Sequence, residues 1–338
     1  MNLSSKILCI KTKNLGDAVV LTAAIRACPE DCVVDVLCFS DVAEYYALTP
    51  RVRRVYPAKR GLRGARAVYE GLRQLYLIRK ERYDSVIHFS DDWRGALLAL
   101  LSGAQVRVAG FSNKRSWPWH SCFTHLSRRP LRGRHVAEMD CDLLRRAGIY
   151  VGETPAYIRP TLGQESQNLG KKLLVINLFS RWKFKELDLE MGRGIIGHCI
   201  RSGYSILMVG EKSERARADL LCNKLEGDID FLFGASFAKL ASALDGALLV
   251  ISIDSFIVHI ASSLTKPVFA IYGPSGEEHW APWRTARLCY SERDRFPCRP
   301  CGQDGCGGSK VSECLRAINQ NRLLSSLDQF LDDIRQQK

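Results

Sequence analysis

Apolar runs alternate with helical patterns along most of the chain. Residues 6–12 (KILCIKT) predict a strand, 18–28 (AVVLTAAIRAC) a helix, 32–39 (CVVDVLCF) a strand and 41–48 (DVAEYYAL) a short helix. A longer helix is predicted over 64–82, where Val68, Leu72, Leu75 and Ile78 recur at helical spacing. Residues 83–90 (YDSVIHFS) and 106–111 (VRVAGF) read as strands on either side of a helical DWRGALLALLS. Strands that alternate with helices in this way imply a parallel sheet covered on both faces.

The alternation breaks at 149–171, a stretch rich in Gly, Pro and polar residues that reads as a linker. It then restarts. Strands are predicted over 172–179, 204–210, 229–234, 247–253 and 266–273, and helices at about 188–202, 213–226 and 236–245 separate the first four. A closing helix, QNRLLSSLDQFLDDIRQ, ends the pattern and could pack back on the first half. The expectation is an α/β protein of two doubly wound domains, 1–160 and 161–338, with no short internal sequence repeat.

In a doubly wound sheet, ligands bind at the carboxyl ends of strands. The segment IDSFIVHIASSL (253–264) sits at such an end. Asp254 and Ser255 begin a helix whose first-turn N–H groups attract an anion, and His259 lies one turn beyond Ser255. Phe256 and Ile257 occupy that same first turn. Asp and Ser are also common helix caps, and a histidine in an apolar helix is often a core residue. Near the start, IKTKNLGDAVVL places Gly16 in a tight loop and Asp17 at the head of a helix, as a cap or as a general base. Ser180, Arg181, Lys183 and Lys185 follow the strand 172–179, where cations could neutralise a diphosphate. Glu211 and Glu214 follow the strand 204–210, where an acid could accept from ribose hydroxyls or simply favour a helix start. The loop at Gly16 carries no G-x-G-x-x-G and no Walker sequence.

Charge sharpens this picture. The chain of 338 residues has net charge +13. Residues 1–168 hold 26 Lys+Arg against 16 Asp+Glu (+10), and 169–338 hold 23 against 20 (+3). The basic half should meet an anionic partner. Arg51, Arg53, Arg54, Lys59, Arg60, Arg63 and Arg66 form its densest run. No aromatic-plus-basic nucleic-acid motif accompanies them, so nucleic acid is not expected. The start of the chain has only a four-residue apolar patch before lysine returns, and no run approaches the roughly 20 residues of a bilayer span. A cytosolic protein is expected.

Thirteen cysteines are present, and most sit in apolar or helical contexts as small buried hydrophobes. Cys298, Cys301, Cys306 and Cys314 differ: C-x2-C-x4-C-x7-C with glycines between suits a structural zinc or iron, while a disulfide or unpaired thiols remain open.

Taken together, IKTKNLGDAVVLTAAIRA, RWKFKELDLE, GEKSERARADL and SIDSFIVHIASSLTKPVFAIYGPSGEEHWAPW resemble, in order and spacing, the ADP-heptose-dependent lipopolysaccharide heptosyltransferases of glycosyltransferase family 9. The D-S-x-x-x-H, K-P, G-P-S and W-x-P-W elements between Asp254 and Trp283 carry most of the likeness. The resemblance implies a GT-B fold of two Rossmann-like domains facing across a cleft and an inverting transfer that needs no cofactor. It implies an acceptor held by the first domain and a donor held by the second. It places Asp17 as catalytic base and Lys185 at the donor phosphates, with Lys183 as its competitor because the usual K-x-W-P reads KEL after Lys185. Asp254, Ser255 and His259 match the phosphate element, with Phe256 where a small residue is usual, and Glu214 matches an acidic position near the donor ribose. Ser180 and Ile257 complete the expected donor set, and Arg51, Arg53, Arg54 and Arg60 the acceptor set. The expected partners are ADP-heptose, a lipopolysaccharide core and the anionic inner-membrane surface, which the basic segment 59–82 could touch. Competing readings are a heptosyltransferase with an autotransporter protein as acceptor and a non-enzymatic module that binds anions or nucleic acid through the basic half.

Overall fold

Lys6–Lys11 (β1) lies between two parallel neighbours, with Ile7 level with Val34 on one side and Ser85 on the other. Its Ile7, Leu8, Cys9 and Ile10 are all buried, as a strand with helices on both faces requires. The computed structural model describes residues 5–128, 130, 133–163 and 172–336, so residues 164–171 of the expected linker lie outside the described residues. Two units are present, Met1–Thr161 and Leu162–Lys338.

The first unit contains β1, Val33–Phe39 (β2), Val52–Ala58 (β3), Ser85–His88 (β4), Val106–Gly110 (β5) and His125–Ser127 (β6), all parallel, in the order β3-β2-β1-β4-β5-β6. The second contains Leu173–Asn177 (β7), Ser205–Gly210 (β8), Ile229–Phe233 (β9), Leu249–Ile253 (β10), Val268–Ile271 (β11) and Arg287–Tyr290 (β12), also all parallel, in the order β12-β11-β10-β7-β8-β9. The two orders are one topology. In each, the first and fourth strands are central neighbours, and the chain winds outward from them in opposite directions. This is the doubly wound α/β arrangement that the sequence pattern implies.

Three of the twelve strands are absent from the sequence expectation: β3, β6 and β12. Each is an edge strand. Edge strands are short and face water along one side, so they carry charge instead of a continuous apolar run. The helix Val136–Arg146 was also not anticipated; a capping box between His135 and Glu138 starts it. It delivers Asp140 to Lys11 at the end of β1, a 2.9 Å ion pair in which both side chains are buried.

The helix Gly64–Glu81 forms as predicted but turns a different side inward. Gln74 and Ile78 are buried, whereas Val68 and Leu72 are more than half exposed. The closing helix Gln320–Gln336 belongs to the second unit: Leu323, Leu327, Phe330, Leu331 and Ile334 enter one core with Leu174, Ile176, Ile251 and Phe269. Among the described residues, no helix is long and apolar enough to cross a membrane.

Candidate functional site

The strand order directs attention to two places, the carboxyl ends of β1 and β4 and those of β7 and β10, where the winding reverses and a crevice opens between adjacent loops.

At the second, Asn177 ends an otherwise apolar strand. Its amide donates to Val209 O (3.0 Å), and its Oδ1 accepts from Ser255 Oγ (3.0 Å) across the reversal point. Ser255 caps the helix Phe256–Ser263, accepting the Ile257 N–H at 3.3 Å. The cap is therefore Ser255 and not Asp254. Asp254 instead donates its N–H to Ile271 O and turns its carboxylate to Lys185, with Nζ–Oδ2 at 2.6 Å. Asp254 is buried and Lys185 mostly so.

Lys183 and Lys185 bound one short 3-10 turn yet point to different partners. Lys183 is exposed and pairs with Glu186 at 3.3 Å. Glu186 also accepts the Ser180 N–H (2.8 Å) and a two-pronged contact from Arg217 (2.6 and 3.2 Å). Ser312 Oγ donates to Phe184 O (2.6 Å), fixing the turn from its other side. Lys185 is thus held at the strand ends while Lys183 faces water.

Glu214 bonds the Glu211 N–H at 2.8 Å and lies 3.6 Å from Arg217. Burial raises its carboxyl above the ordinary 4.5, opposed by the Glu211 N–H and Arg217. His259 is buried, its ring edge-on to Trp280 at 6.0 Å. Phe256 is half-exposed, whereas Ile257 is fully buried and its N–H already serves the Ser255 cap.

The first unit repeats the plan. The Thr12 N–H donates to Ser90 Oγ at 2.9 Å, and Thr12 Oγ1 bonds Asp92, joining the ends of β1 and β4. Asp92 caps the helix Trp93–Leu101 through the Gly95 N–H (2.8 Å). Asp17 lies in the first turn of the helix Leu15–Ala27, half-buried. Among the described residues, no ion pair or hydrogen bond engages its carboxylate. In the same unit a pocket of about 360 Å³ is lined by Phe39, Arg60, Gly61, Asp92 and Arg94. Arg60 stacks 3.8 Å from the Phe39 ring, pairs with Asp41 (3.0 Å) and donates to Lys13 O (2.9 Å). Beneath this, the buried His88 bonds Asp92 O (3.1 Å). A Cβ on Gly95 would come within 2.2 Å of its ring, so the helix starts directly against the imidazole.

The four arginines expected to act together do not converge on one site, and Arg53 and Arg54 share Glu81. Arg51 precedes β3 and donates to Cys28 O (2.8 Å) and Pro29 O (2.7 Å). Arg53 binds the fully buried Asp35 (3.0 Å) and Glu81 (2.7 Å), and Arg54 also meets Glu81. Only Arg60 of the four reaches the pocket.

Of the alternatives open for the four cysteines, the structure shows unpaired thiols. All four thiols are free; Cys298 and Cys306 are exposed and Cys314 is buried. Among the described residues, no three His, Cys, Asp or Glu side chains are placed to hold a metal. The buried Arg299 guanidinium, bonded to Gly273 O and to Glu277 (3.2 Å), stands beside Cys314, where it disfavours a second cation. Burial pushes Cys314 up to about 11. Nothing among the described residues supports the zinc or iron reading.

Asn177, Glu186 and Arg217 were missed by the sequence reading. A polar residue closing the apolar run LLVIN was the available sign for Asn177; nothing local marked the other two.

The sequence matches glycosyltransferase family 9 (heptosyltransferase) over residues 73–311. The chain belongs to that family. It is therefore a sugar-transferring enzyme. Lipopolysaccharide heptosyltransferase 3 of Escherichia coli K12 is 26% identical over 285 residues, 79% of this chain and 82% of that protein. A family 9 glycosyltransferase structure from Veillonella parvula aligns with TM-score 0.80 at 16% identity, covering 98% and 99% of the two chains. E. coli heptosyltransferase WaaC, solved with ADP, aligns with TM-score 0.73 at 18% identity over 97% and 99%. The fold is that of these GT-B glycosyltransferases.

Proposed function

We propose that this family 9 enzyme moves a heptose from ADP-heptose to the inner core of lipopolysaccharide, inverting the configuration at the sugar. The observation that carries the donor assignment is the Lys185–Asp254 pair beside the start of the helix Phe256–Ser263. A lysine and the positive end of a helix are suited to a diphosphate, and a heptosyltransferase of the same fold has been solved with ADP.

On this reading the second unit holds the donor and the first the acceptor. Lys185 and the helix dipole stabilise charge on the departing ADP, which removes the need for a metal at that point. Asp254 holds Lys185 in place, Ser180 and Ser255 shape the surrounding loops, and Glu214 sits where a ribose hydroxyl can donate to it. His259 supports the helix behind the phosphates. Asp17 takes the proton from the acceptor hydroxyl as that oxygen attacks the anomeric carbon, a single displacement that inverts the centre. Arg60 and Arg94 suit the anionic groups of an inner-core sugar. The enzyme works on the cytoplasmic face of the membrane that anchors its acceptor.

The test is incubation of the protein with ADP-heptose and a set of truncated lipopolysaccharides, read by mass. Gain of one heptose by one truncation identifies the acceptor. No gain by any truncation, with transfer to a protein instead, would overturn the lipopolysaccharide assignment.

A further inference from the structure

The helix Gly64–Glu81 is apolar on two sides. One side, with Gln74 and Ile78, is buried. On the other, Val68, Tyr69, Leu72 and Tyr76 follow one another at helical spacing, and each is between 61 and 70% exposed. The neighbouring helix Trp93–Leu101 continues the surface: Trp93, Leu97, Leu100 and Leu101 share its outer stripe and are all exposed. The two helices pack together, and Arg79 joins them by donating to Leu101 O at 3.2 Å. Two packed helices of the first unit therefore expose eight large apolar side chains. Patches of this kind mark interaction sites in soluble proteins.

The rim is basic. Arg63, Arg66 and Lys80 are exposed, and among the described residues none has an ion pair. The two acids of the helix are already neutralised, Glu70 by Arg73 (2.9 Å) and Glu81 by Arg53 (2.7 Å). The surface thus offers unpaired positive charge around an apolar centre, and the two tyrosines give it rings with polar tips at the boundary.

We propose that this two-helix face is where the enzyme docks on an anionic phospholipid bilayer, with Val68, Leu72, Leu97 and Leu100 entering the headgroup–acyl boundary and Arg63, Arg66 and Lys80 on the lipid phosphates. It rests on the proposed membrane-anchored acceptor and specifies the surface that meets that membrane. Apolar burial and attraction to anionic headgroups act together in such contacts.

Vesicle sedimentation of the full chain tests it, with phosphatidylcholine vesicles compared with phosphatidylcholine–phosphatidylglycerol vesicles. The wild type should bind the anionic vesicles and release at high salt. Leu72→Ser with Tyr76→Ser should weaken that binding by about tenfold, and Arg63→Glu with Arg66→Glu should abolish the preference for anionic lipid. Turnover of a deacylated, soluble core acceptor should be unchanged in both variants, while turnover of a vesicle-embedded acceptor falls. Equal vesicle binding by variants and wild type, or no binding by the wild type, would overturn the docking face. So would a wild-type dimer that the apolar substitutions split without change in vesicle binding, since the face would then join two copies. Failure of wild-type turnover on both acceptors would overturn the functional reading instead, and the vesicle measurements alone would still decide the docking face.

Discussion

Lys185 Nζ lies 2.6 Å from Asp254 Oδ2, a contact between residues 69 positions apart that brings the loops after β7 and β10 together. Asp254 is buried and its backbone N–H donates to Ile271 O, so the longer and more exposed lysine is the movable member. Lys183, two residues earlier, is tied to Glu186 and faces solvent. Lys185→Ala should therefore weaken ADP binding by about tenfold and slow transfer by about a hundredfold. Lys183→Ala should change ADP affinity by no more than about twofold. His259→Ala should give a smaller loss than Lys185→Ala. Because Asp254 and Lys185 touch, Asp254→Asn combined with Lys185→Ala should cost less than the two single effects summed. Calorimetric titration with ADP measures the affinities and single-turnover kinetics the transfer rate, and the opposite ranking of the two lysines would remove Lys185 from the diphosphate.

Asp17 is the half-buried carboxylate without a described partner in the first turn of its helix. Asp17→Asn should slow transfer by about a thousandfold and leave ADP affinity unchanged. Stability should fall by no more than about 1 kcal/mol, the worth of an acid near a helix N-terminus. Single-turnover kinetics alongside ADP titration separate these outcomes. Near-normal transfer would exclude Asp17 as the base.

The arginines of the basic run should divide by partner. Arg53 neutralises Asp35, which is fully buried and also accepts from Tyr83. Arg53→Ala should lower stability by about 2 kcal/mol, reduced from the cost of a fully buried pair because the arginine is partly exposed. Its acceptor KM should stay the same. Arg60→Ala should do the reverse, raising acceptor KM about tenfold at nearly unchanged stability. Urea unfolding and acceptor kinetics on the same two proteins would reveal an exchange of these effects.

His88 supplies a pH dependence. Burial lowers its pKa below the ordinary 6.5, with Asp92 opposing. The folded protein then binds fewer protons at this site than the unfolded chain. The associated stability is complete above pH 6.5 and is lost as pH falls below it toward the folded pKa. His88→Phe removes the titration, so its stability should decline less than that of the wild type between pH 7 and pH 5, values chosen to bracket the ordinary histidine range of about 6.5. Parallel slopes in urea unfolding at the two pH values would show that His88 does not carry this dependence.

The central strands were legible because burial on both faces makes them continuous apolar runs. β3, β6 and β12 were not, since an edge strand such as VRRVYPA carries charge. The strand-end residues Asp17, Lys185, Asp254 and Ser255 were legible from the same runs, which show where each strand stops. The partner of each side chain was not. Asp35 and Glu81 lie 18 and 28 positions from Arg53, and nothing in the spacing of the arginine run announces them. Likewise, the spacing of the four cysteines carries no sign of the buried Arg299 guanidinium beside Cys314.

The hydrogen bonds that join the central strand ends, Thr12 N–H to Ser90 Oγ in the first unit and Ser255 Oγ to Asn177 Oδ1 in the second, each span 78 positions. Two strands and their helices must be laid down between the two ends before either bond can form. Long-range parallel pairing of this kind is slow relative to helix formation. If the second unit holds ADP as proposed, a refolding chain should regain most of its helical signal before nucleotide binding, and recovery of that binding should report the pairing of β10 against β7 instead of the collapse that precedes it.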